Sequence, residues 1–187
     1  IMRGYFGIGV EGISKPMNVG SLLRSSHAFG ASFFFTVNTD IDLHAMRESD
    51  TSGAFDHIPF YNFEKPADII LPRNTQMVAI EFLEDAVELP SFRHPLQAVY
   101  VLGPEMNNVS PAMLKRCDHV IKIPMKFCVN VGVAGALVMY DRMISMGRFP
   151  PRPVKAGGPE FSPEKLKEEQ IIARNARHFT PKGKKKE

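Results

Sequence analysis

Three short runs in this chain carry residue types that could do chemistry. Asn18, Gly20 and Arg24 stand in N-x-G-x-x-x-R spacing, Leu102-Gly103-Pro104-Glu105 ends on a carboxylate, and Ile123-Pro124-Met125 is followed across a short loop by Cys128 and Asn130. A guanidinium is permanently charged and planar, which suits it to gripping phosphate or steadying an oxyanion. A carboxylate accepts hydrogen bonds, an amide both donates and accepts, and glycine lets a ligand approach the backbone. The six histidines and two cysteines, Cys117 and Cys128, never fall into HxxxH, HExxH or CxxC spacing, so no metal is expected. Each run also has an ordinary local reading: Asn18 and Asn130 as helix N-caps, Gly103-Pro104 as a turn, and Arg24 as a surface ion-pair former.

A fourth run, Gly7-Ile8-Gly9-Val10-Glu11-Gly12, satisfies the GxGxxG fingerprint of dinucleotide domains, with Asp40 as a possible ribose acid. That fingerprint needs a full strand before its first glycine and a helix opening at its third. Only six residues precede Gly7, and Pro16 interrupts the stretch after Gly12. Glycine inside a strand is the better reading, and a nucleotide-dependent oxidoreductase is kept only as a distant alternative.

The elements that must position these groups alternate. Tyr5 to Val10 reads as a buried strand, Val19 to Phe29 as a helix stopped by Gly30, and Ser32 to Val37 as a strand apolar enough to be covered on both faces. Residues 38–64 are polar and broken, with Phe60 to Phe63 as a short edge strand, and a helical turn near Lys65 to Leu71 precedes a strand at Met77 to Glu81. Gln97 to Gly103 and His119 to Ile123 are further strands, and between them Ser110 caps a short helix from Pro111. After Asn130 runs a longer helix, with Val129, Val133, Leu137 and Tyr140 along one stripe. Strand and helix in alternation argue an α/β fold with a mostly parallel sheet and helices on both faces. Ligands of such sheets bind beyond the C-terminal strand ends, where the middle and last polar runs lie.

At 187 residues, 44% hydrophobic and 23% charged, the chain suits one globular domain, placed at 1–149. No apolar run approaches the roughly 20 residues that span a bilayer, so no membrane partner is expected. Ile1-Met2-Arg3 opens no basic-then-apolar secretion signal, Met2 reads as the start, and two separate cysteines fit a reducing cytoplasm. Residues 150–187 form a Pro/Gly linker, an amphipathic segment from Ser162 to Arg174, and a basic C-terminal tail ending Lys182-Gly183-Lys184-Lys185-Lys186. The net charge of +3 makes a polyanionic partner plausible.

Taken together, N-x-G-x-x-x-R at Asn18 to Arg24, L-G-x-E at Leu102 to Glu105, and I-P-M followed by Asn130-Val131 and an apolar helix resemble the three motifs of the SpoU (TrmH-like) class in the SPOUT superfamily of RNA methyltransferases. The resemblance covers residues 4–147 in the family's order. It implies a C-terminal trefoil knot, which no periodicity argument reaches. It also implies S-adenosylmethionine as cofactor, a homodimer whose active site draws on both subunits, and methylation of a ribose 2′-hydroxyl in tRNA or rRNA. By the same resemblance Leu102, Gly103, Ile123, Met125, Cys128 and Asn130 would bind the cofactor, and Arg24, Asn18, Glu105 and Asn130 would form the catalytic set. The chain departs from the pattern at Met106, where a glycine is usual, and at Cys128-Val129-Asn130, where Ser-Leu-Asn is usual. Those departures motivate the alternative of a catalytically inactive RNA-binding relative. With no RNA-recognition domain before Tyr5, substrate choice would fall to the dimer surface and the tail.

Overall fold

A computed structural model of the chain describes residues 4–39, 44, 47, 53–104, 107–147 and 149–158. The chain divides into two units, Ile1–Phe149 and Pro150–Glu187. In the second, residues 150–158 are exposed and form neither helix nor strand.

Among the described residues the first unit has seven strands: β1 (Tyr5–Glu11), β2 (Phe33–Val37), β3 (Phe60–Phe63), β4 (Gln76–Ile80), β5 (Val87–Glu88), β6 (Gln97–Leu102) and β7 (His119–Lys122). They form one sheet in the order β3-β2-β1-β6-β4-β7-β5, and every pairing is parallel. The expected α/β sheet is therefore present, with β3 as the expected edge. β5 is an addition: two residues are too few to show a period.

Alternation along the strands separates two cores. On one face Phe6, Ile8, Val10, Phe34, Val78, Ala98 and Tyr100 pack with Val19, Leu22, Leu23, Val138 and Met139 from helices α1 (Pro16–Phe29) and α3 (Val131–Met146). On the other, Phe35, Val37, Met77, Val99 and Val101 pack with Ile69 and with Met113 of the short helix α2 (Pro111–Leu114). Gly7 and Gly9 pair with Phe33 and Phe35 across the β1–β2 ladder, and a Cβ on either glycine would fall inside the facing ring. The GxG of the apparent dinucleotide fingerprint thus makes room for aromatic rings within a strand.

Two helix starts differ in kind. α1 begins at Pro16, three residues before the apolar pattern, with Lys15 at the N-cap. Proline at N1 loses only an N–H that has no helical partner anyway, so the residue read as an interruption is the start. Asn18 consequently lies within the first turn and is not the N-cap. Gly30, at φ 78°, closes the helix in the left-handed conformation its sequence position implied. α3 starts as the sequence indicates: the Asn130 side chain accepts the Gly132 N–H at 2.8 Å.

α3 packs on α1 through its small residues. A Cβ on Gly132 would stand 2.9 Å from Ser21 Oγ, and one on Gly135 would strike Leu22. The outward stripe of α3 is apolar as well, with Val133, Leu137 and Tyr140 each 40–49% exposed.

Candidate functional site

Beyond the C-terminal ends of β4, β6 and β7 lies a cleft of about 500 Å³, within the range of small-molecule sites. Leu102, Gly103 and Pro104 form one wall and Lys122, Ile123 and Met125 another, while Cys128 and Asn130 close it from the loop before α3 and Asn18 from α1. All six residues singled out for the cofactor therefore line one cavity.

Asn18 and Asn130 meet there directly. Asn130 Nδ2 donates to Asn18 Oδ1 at 2.9 Å while its Oδ1 caps α3, so a single amide ties the first turns of two helices together at the cleft. Arg24 is not among the lining residues. It is exposed on α1, six positions past Asn18, which at 3.6 residues per turn is about 120° round the helix. Glu105, with Met106, lies outside the described residues, as does Asp40.

Several cleft residues escaped the sequence reading because they belong to no motif. Lys15 and Glu81 line it, as do Asn107 and Asn108. Lys122 also lines it, with its Nζ donating to the Glu84 carbonyl at 2.7 Å. Their one sequence signal is position: Lys15 precedes α1, Glu81 follows β4, Lys122 ends β7, and Asn107 and Asn108 lie between β6 and α2.

The clearly displaced pKa values among the described residues lie elsewhere. At the opposite ends of β1 and β6, the buried guanidinium of Arg142 donates to the carbonyls of Pro95 at 2.6 Å and Leu96 at 3.0 Å, and to the Tyr100 hydroxyl at 3.0 Å. Tyr100 Oη stands 2.6 Å from His94 Nδ1, and His94 Nε2 stands 2.9 Å from Asp141 Oδ2. A carboxylate only accepts, so Nε2 carries the proton, Nδ1 accepts, and Tyr100 donates. Burial holds His94 below the usual imidazole value, against the opposing pull of Asp141. Burial pushes Tyr100 up to about 12, and likewise the Cys117 thiol up to about 11. These groups build the fold and stand apart from the cleft.

The SpoU rRNA Methylase family model matches residues 6–140, which include every lining residue of the cleft. A protein of Staphylococcus aureus (strain COL), assigned to the TrmH family of tRNA/rRNA methyltransferases, is 28% identical over 138 residues, 71% of this chain and 56% of that protein. The chain thus spans little more than half the length of this relative. The tRNA (guanosine(18)-2′-O)-methyltransferase of Aquifex aeolicus (strain VF5) is 23% identical over 137 residues, 70% of this chain and 65% of the relative. Among solved structures, the SpoU methyltransferase AviRb from Streptomyces viridochromogenes, in complex with AdoMet, has a TM-score of 0.69 at 20% identity, covering 79% of this chain and 61% of that one. At that identity the likeness is one of fold.

Proposed function

Because the chain belongs to the SpoU rRNA methylase family, we propose that it is an S-adenosylmethionine-dependent RNA 2′-O-ribose methyltransferase acting on tRNA or rRNA in the cytoplasm. The observation that carries this reading is the convergence of Leu102, Gly103, Ile123, Met125, Cys128, Asn130 and Asn18 on one cleft. The cleft suits the cofactor: Leu102, Ile123 and Met125 offer apolar walls for an adenine, and Asn130 and the backbone past each strand end offer polar contacts. At Gly103 a Cβ would stand 2.9 Å from Val109 N, so only glycine keeps that wall as close as it is. Bound there, S-adenosylmethionine supplies a methyl group already activated by its sulfonium.

The chain's own residues then have mainly to align a ribose hydroxyl with that methyl, and alignment alone is worth roughly 7–11 kcal/mol. Asn18 and Asn130 position the site, and Glu105 belongs to the catalytic set by the family's motif alone. Arg24 grips the phosphate beside the target ribose and stabilises the developing alkoxide; a guanidinium is permanently charged and has no lone pair to offer, so it does not act as the base. Its exposure away from the cleft supports a homodimer in which one copy's Arg24 serves the other's cleft. The outward stripe of Val133, Leu137 and Tyr140 supplies a self-complementary apolar face for that pairing. The C-terminal trefoil knot belongs to the same reading, as an implication of the family's motifs.

The test is transfer of labelled methyl from S-adenosylmethionine to total tRNA and rRNA, with the modified nucleotide mapped by its 2′-O-methyl group. Transfer by the wild type, loss in R24A, and partial retention in R24K are expected. Absence of both S-adenosylmethionine binding and transfer to any RNA hydroxyl would overturn the enzyme and leave the RNA-binding relative.

A further inference from the structure

The wall of the cleft past β6 does not hold itself. From Gly103 the chain passes Pro104, lines the cleft again at Asn107 and Asn108, and reaches α2 at Pro111. Of the two strands flanking β6, β1 ends in a carboxylate and β4 is followed by one, and each carboxylate takes hold of this return. Glu11, the last residue of β1 and only 4% exposed, accepts from Ser110 N at 2.8 Å with one oxygen and from Ser110 Oγ at 2.7 Å with the other. Glu81, just past β4, accepts from Val109 N at 2.6 Å and from its neighbour Phe82 N at 2.8 Å. Consecutive residues are thus held from opposite sides.

The buried Glu11 carboxylate would be costly without engaged oxygens, and all four oxygens of Glu11 and the half-buried Glu81 take a donor. The return is thereby drawn to the spot where Val109 N stands within contact of Gly103. Nothing in α2 demands two such groups, since Ser110 Oγ already caps that helix by accepting from Met113 N at 3.1 Å. What the paired carboxylates fix is the position of the cleft wall.

We propose that Glu11 and Glu81 are paired positioning residues that set the affinity of the cleft for S-adenosylmethionine by clamping residues 109 and 110; this rests on the methyltransferase reading above. The experiment compares E11Q and E81Q with D118N, which disturbs a bond of the same kind at the other end of β4, where Asp118 Oδ2 accepts from Met77 N at 2.8 Å. Affinity for S-adenosylhomocysteine is measured by calorimetry, and melting temperature and KM for cofactor and RNA alongside. E11Q and E81Q are each expected to weaken S-adenosylhomocysteine about tenfold and raise the cofactor KM, with the RNA KM within twofold of wild type. D118N is expected to lower the melting temperature yet keep the affinity within twofold. Should E11Q fail to fold, S110A removes one donor of the same clamp and is expected to weaken binding about threefold. Wild-type affinity in E81Q, and in E11Q or S110A, would overturn the clamp alone. A wild-type chain without affinity for S-adenosylhomocysteine would overturn the methyltransferase reading and the clamp with it.

Discussion

Asn130 carries two tasks on one amide, and they separate by chemistry. Its oxygen caps α3 and its nitrogen reaches Asn18, so N130D keeps a cap acceptor while turning a donor into a second acceptor facing Asn18 Oδ1. N130D is expected to melt near the wild-type temperature yet lose methyl transfer, whereas N130A, which also loses the cap, is expected to cost about 0.5–2 kcal/mol of stability. Thermal melts beside transfer assays check both. The role of Asn130 was legible because an N-cap is a local signal. That of Asn18 was legible only in part, since a helix beginning one turn earlier moved it off the cap. His94 was not legible at all, for its partners Tyr100 and Asp141 come from β6 and α3 and only the fold brings them together. Its depressed pKa means that below about 6.5, the ordinary imidazole value, the unfolded chain binds a proton that the folded chain refuses. Stability from this group is therefore full above that pH and is lost as pH falls toward the folded value. Melting temperature is expected to drop between neutral and mildly acidic pH, and H94Q to flatten that drop.

At the scale of elements, the contact of α1 with α3 decides whether the two asparagines meet. Gly135 lets Leu22 pack against the helix backbone, and Leu22 is fully buried with nowhere to retreat. G135A gains up to about 1 kcal/mol of helix propensity but overpacks the interface, which typically costs about 1–3 kcal/mol. Net destabilisation with weakened cofactor binding is expected, checked by denaturant melts and calorimetry. The sequence showed α3 as apolar and periodic but not which side faced inward. Its valine, leucine and tyrosine stripe is as regular as any core stripe, and the glycine face that packs on α1 scores as weak by hydrophobicity alone. The strands were plainer, because buried parallel strands are continuous runs of β-formers. Glu11 and Glu81 were read past because one ends and the other follows an apolar strand, where a lone carboxylate gives no periodic signal.

For the whole molecule, the outward stripe of α3 is the proposed contact with a second copy. L137D places a charge at its middle and is expected to shift a dimer to monomer in sedimentation, with methyl transfer lost and cofactor binding kept. The basic tail belongs to the same scale: truncation after Phe149 is expected to weaken RNA binding and to flatten the dependence of log affinity on log salt, roughly in proportion to the phosphate contacts removed. Unchanged affinity and slope would remove the tail from RNA binding. Subunit pairing rests on a partner that no single-chain pattern contains, and so it entered through the family's motifs, whereas the tail was legible as a run of lysines.

The bond between Asn18 and Asn130 joins residues 112 positions apart. During synthesis, then, a ribosome has to release almost the entire first unit before any methyl donor can be held. On the proposed reading, donor binding favours only molecules whose first unit has been completed, adding RT ln(1 + [L]/Kd) to their stability and nothing to a chain that stops before Asn130. In a cell short of S-adenosylmethionine, such a protein would turn over faster as well as work more slowly.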